Sequence, residues 1–205
     1  MTSNKTILSI ILFVLPFMTS TGQSKECLKH FSWYNTTTIR GNYVFYHVNN
    51  DSATIEYGNK SFHRLFPYKI ECQIADARIP HYEWDSKDFI VLRYGCGSPC
   101  WGIYVLPLDS INSITDMMYE MAFDSANNLV CYLGGDDYNK LIIENLKTKS
   151  CRTIEFPFKS DHGEFMGAWI EDVSIKNNKL YYKYSDPNVD YNKRTWKEVT
   201  IDINL

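Results

Sequence analysis

Several things are scarce in this chain, and each scarcity removes a class of function. Helical periodicity is almost absent, which argues against an all-α or doubly wound α/β domain. Past residue 18 no apolar run approaches the ~20 residues a membrane-spanning helix needs. Basic residues are outnumbered, 21 Lys and Arg against 24 Asp and Glu for a formal charge of −3. Nucleic-acid binding, which normally demands a basic stripe, is therefore not expected. No phosphate-cradling glycine loop and no Ser, His, Asp order for a hydrolase triad can be found. No second Cys/His pair stands at finger-like spacing to complete a tetrahedral metal set, so neither a metal nor a cofactor is expected.

The N-terminus reads "MTSNKTILSIILFVLPFMTSTGQSKEC". Lys5 precedes an apolar run over residues 7–18, and small residues Ser20 and Gly22 follow, which is the pattern of a secretory signal peptide cleaved near Gly22. The expected organisation is a signal peptide over 1–22 and one domain over 23–205, secreted or periplasmic. Removing 1–22 takes away Lys5 and no acid, leaving 20 basic against 24 acidic residues. All six cysteines, Cys27, Cys72, Cys96, Cys100, Cys131 and Cys151, follow the signal. An oxidising compartment permits them to pair, and six cysteines allow 15 pairings. Sequons at Asn35, Asn50 and Asn59 carry glycans only in a eukaryotic source.

Short runs of Val, Ile, Tyr, Phe and Trp alternate with polar residues and are separated by Asn, Asp and Gly clusters, which is an all-β pattern. A weak repeat underlies it. "GNYVFYHVN" from Gly41, "KDFIVLRYG" from Lys87, "NNLVCYLGG" from Asn127 and "NNKLYYKYS" from Asn177 each follow a turn and precede another strand. Earlier strands begin at His81, Tyr119 and Ile170. An antiparallel meander of about four units of ~40 residues resembles β-propeller blades, either closed as a ring or open. The architectural alternative is a two-sheet β-sandwich. Propeller-like scaffolds carry unrelated functions, so no activity follows from the resemblance.

"RYGCGSPCWGIYVLPL" is the most distinctive stretch. Redox-active pairs usually have two intervening residues at a helix N-terminus. Here Gly97, Ser98 and Pro99 intervene and both flanks are strands, so Cys96 and Cys100 read as a disulfide staple across a hairpin tip. Such a tip would present Ser98 and Trp101 as a rigid binding surface. "KSDHGEF" gathers Asp161, His162 and Glu164 in one loop as a second binding candidate. "GGDDYN" from Gly134 reads first as a hairpin turn. Glu83 and Asp85, two apart on a strand, are expected to share a face beside Trp84, a pairing that suggests glycan hydrolysis.

If Cys131 and Cys151 occupy the second and fourth strands of one unit, a whole strand separates them and no bridge forms. Cys27 is then free to tie the N-terminal segment to the sheet through Cys72 or Cys151. With no assembled catalytic set, the leading expectation is an exported, non-catalytic binding protein, inhibitor- or immunity-like. Its partner would be an envelope or extracellular protein, or a glycan. A glycan-active hydrolase or glycan-binding module and a structural surface protein are the alternatives.

Overall fold

The computed structural model describes residues 21–135, 138–156 and 165–205. A helix, α1 (Thr21–Ser32), leads into the first sheet. That sheet contains β1 (Thr36–Thr37), β2 (Tyr43–Asn49), β3 (Ser52–Asn59), β4 (Phe62–Leu65) and β5 (Ile70–Glu71). The second is β6 (His81–Asp85), β7 (Phe89–Gly97), β8 (Cys100–Pro107) and β9 (Thr115–Met118). The third is β10 (Glu120–Asp124), β11 (Leu129–Gly134), β12 (Lys140–Asn145) and β13 (Cys151–Glu155). The fourth is β14 (Ile170–Lys176), β15 (Lys179–Tyr184) and β16 (Lys197–Asp202). The protein is all-β, and each sheet is an antiparallel meander in chain order, with β5 added beside β3.

Asparagine makes these meanders turn tightly. Asn177 and Asn178 both have positive φ, 51° and 57°, between the paired Lys176 and Lys179. Two consecutive left-handed residues form the two-residue turn whose twist matches a hairpin, and asparagine tolerates that conformation best after glycine. The same chemistry recurs at Asn50 and Asn128.

The core lies between successive sheets. One cluster joins α1 and the first sheet to the second, through Phe31, Ile55 and Tyr57 against Ile90 and Leu92. Another joins the second sheet to the third, through Trp84, Val91 and Ile103 against Val130 and Leu146. A third joins the third to the fourth, through Leu141 and Ile143 against Leu180 and Ile203. Both faces of β7 are covered, which is why "FIVL" is uninterruptedly apolar, whereas β2 alternates buried with accessible residues along most of its length. No sheet closes on itself, and among the described residues no buried cluster joins the fourth sheet to the first.

Two disulfides form. Cys96 and Cys100 have Cα atoms 5.0 Å apart across the β7–β8 tip, as the turn chemistry predicts. Cys27 pairs with Cys72, Cα atoms 5.3 Å apart, and so ties α1 to the first sheet. Cys131 on β11 and Cys151 on β13 have β12 between them and remain thiols, the first buried and the second exposed. Helix α1 is the element the sequence pattern did not announce. Cys27 and Phe31, one turn apart, are both buried and fix its inward face. The apolar run at 7–18 lies outside the described residues, and no described helix is long and apolar enough to cross a membrane.

Candidate functional site

At the stapled tip, Ser98 is exposed. Trp101 is turned inward from β8 and only partly accessible. Its indole Nε1 donates to the Glu120 carbonyl at 3.1 Å, and its ring meets Tyr119 and Phe165 edge-on at 5.1 and 6.1 Å. Asp161, His162 and Glu164 lie outside the described residues, as do Asp136 and Asp137 of the glycine-rich turn.

Glu83 and Asp85 do not converge. A bulge between Tyr82 and Trp84 breaks the two-residue alternation of β6, so the two carboxylates turn to different neighbours. Glu83 faces Arg93 Nη1 at 3.5 Å. The same nitrogen stands 3.9 Å from Glu120 Oε2, and Trp84 Nε1 donates to Glu120 Oε1 at 3.2 Å. Burial pushes the Glu120 carboxyl up to about 7, with Glu83 adding to the shift while Trp84 and Arg93 oppose it. Glu83 and Glu120 thus share one guanidinium, but the Glu120 side chain is only 3% exposed and touches no open depression. This arrangement is an internal charge network and offers no surface to a substrate.

Asp85 is buried and acts as a hub for the other side of β6. Thr38 Oγ1 and Asn42 Nδ2 each donate to Oδ2 at 2.7 Å, and the Tyr82 hydroxyl donates to Oδ1 at 3.1 Å. Arg40 Nε stands 3.7 Å from Oδ1. Asn42 also donates to the Ser86 carbonyl at 3.1 Å. Burial beside this carboxylate pushes the Tyr82 hydroxyl up to about 12.

These bonds clamp a tight turn. Thr38 N–H donates to the Asn42 carbonyl at 2.8 Å and Gly41 N–H to the Thr38 carbonyl at 2.9 Å. Gly41 has φ +78°, a conformation that costs other residues roughly 1 kcal/mol. At the tip Ile39 is fully exposed, and six residues earlier Trp33 is 80% exposed. Large apolar side chains held in water on a fixed backbone are the residues that protein interfaces use as anchors.

The segment 33–42 runs between two depressions of opposite charge. One, of about 750 Å³, is lined by Ile39 and Phe62 with the cations Arg40, Lys60 and Lys87, and has no carboxylate in its lining. The other, of about 420 Å³, is lined by Trp33, Tyr34, His81 and Tyr82 with Asp76. Asp85 couples them, because it holds Arg40 and Asn42 of the first and Tyr82 of the second. The one sequence signal for this edge is Ile39 itself, an isolated aliphatic in the polar run "NTTTIRGN".

No family model matches the chain, and comparison with curated proteins and with solved structures gives no match either. The functional reading therefore rests on the chemistry of this edge.

Proposed function

We propose that this is a non-catalytic binding protein, exported from the cell, that recognises a protein partner in the manner of an inhibitor or immunity protein. The observation that carries the reading is the pair Trp33 and Ile39, both projecting into water from one clamped segment between a cationic and an acidic depression. Preorganised anchors lose little conformational freedom on binding, and flanking charge of both signs fixes the register of the partner. Two disulfides fit an oxidising compartment.

The test is capture by immobilised protein from envelope and culture-medium extracts. One protein is expected to be retained stoichiometrically by the unaltered chain and by Ser98→Ala, and lost with Ile39→Asp. An interface hot spot of this kind is worth at least ~2 kcal/mol, roughly thirtyfold in affinity. A partner retained equally by Ile39→Asp would place recognition elsewhere.

A further inference from the structure

The outer face of the second sheet carries a feature that the binding edge does not use. Tyr94 on β7 lies opposite Gly102 on β8. A Cβ added to Gly102 would stand 2.6 Å from the Tyr94 hydroxyl oxygen and 2.7 Å from its ring carbon Cζ. The missing side chain lets the Tyr94 ring lie flat over the strand. Tyr104 stacks beside it, ring centres 4.5 Å apart and planes at 20°. Tyr68, 60% exposed, continues the row 6.4 Å from Tyr104. Where the row ends, a groove of about 550 Å³ opens, floored by Phe66, Tyr68 and Tyr104 and edged by Glu71, Gln73 and Arg78.

The hydroxyl of Tyr94 donates to Asp116 Oδ1 at 2.6 Å, and Asp116 is itself exposed. The platform therefore combines flat apolar rings with ready hydrogen-bond acceptors at one end and an amide and a guanidinium at the other. A purely apolar ligand would strip water from those polar groups without replacing it. A polynucleotide would set its phosphates against Asp116 and Glu71 on a protein of net negative charge. A pyranose chain satisfies both requirements, since its sugar rings present an apolar C–H face above a ring of hydroxyls. We infer that the row Tyr94, Tyr104 and Tyr68 with its groove is a binding site for an uncharged oligosaccharide. This site is independent of the 33–42 edge and needs no protein partner.

Isothermal titration of residues 23–205 with cellohexaose, N-acetylchitohexaose and mannohexaose tests it. At least one is expected to bind at sub-millimolar concentration. Tyr68→Ala, an exposed position where the fold is not at stake, weakens that binding by about tenfold, which is the order of one lost aromatic stacking contact. Tyr104→Phe, which keeps the ring, retains most of it, and Ile39→Asp leaves it unchanged. Failure of all three sugars to bind at millimolar concentration, or binding indifferent to Tyr68→Ala, would overturn the assignment. Either result leaves the protein-binding proposal standing.

Discussion

Replacing Asp85 by asparagine keeps the shape of the side chain and turns one of its oxygens into a donor. All four of its partners are donors: Thr38 and Asn42 on Oδ2, Tyr82 and Arg40 on Oδ1. The new amide fits best with its oxygen toward Thr38 and Asn42, because Asn42 must keep its bond to the Ser86 carbonyl and cannot reverse. The NH₂ then faces Tyr82, whose hydroxyl can rotate and accept, and Arg40, which is repelled. Bonds to a charged group are worth about 1.5–3 kcal/mol and neutral ones about 0.5–1.5, so two weakened bonds cost about 2 kcal/mol. The Arg40 pair adds only a few tenths, since that side chain is 46% exposed. The sum, about 2–3 kcal/mol, is read by urea unfolding, and in a domain of this size corresponds to a melting point lower by about 5–10 °C. Faster amide exchange at 38–42 accompanies it, because the turn loses its clamp. An Asp85→Asn protein within about 0.5 kcal/mol of the parent, with unchanged exchange in that turn, would refute the reasoning.

Three further outcomes follow from the same physics. Glu120, raised from 4.5 to about 7, holds its proton more tightly folded than unfolded, so stability is highest below pH 4.5, falls as pH rises through 7, and is level above it. The loss is about 3 kcal/mol, and Glu120→Gln should flatten denaturation midpoints across that window; an unchanged slope would contradict the buried network. The Cys27–Cys72 bridge spans 45 residues and Cys96–Cys100 spans 4, so paired serine substitutions are expected to cost about 4 and about 2 kcal/mol by loop entropy. Equal losses in thermal unfolding would contradict this. Cys151 is exposed while burial holds the Cys131 thiol well above its ordinary range, so one maleimide label per native molecule is expected, at Cys151.

Much of the fold could be read from the residues because the sheets are local meanders. The aromatic runs after Gly41, Lys87, Asn127 and Asn177 become β2, β7, β11 and β15, and the Asn-Asn turns sit where asparagine supplies positive φ. The separation of Cys131 from Cys151 followed from counting strands. Helix α1 was hidden because its inward face is only Cys27 and Phe31, too few residues to show a period. The site was far less legible. Trp101 follows a stapled tip and suggested an anchor, yet strand geometry turns it against Tyr119. Glu83 and Asp85 part company at a bulge that no residue pattern announces. The Asp85 hub reaches partners 43 and 47 positions away, so only tertiary structure brings it together.

The most direct measurement of the central claim is hydrogen exchange on the complex with the captured partner, compared with the free protein. The account predicts slowed exchange in peptides covering 33–42 and the flanking 60–62 and 76–82, with none in 96–101. Protection confined to the stapled tip, or absent from 33–42, would contradict it.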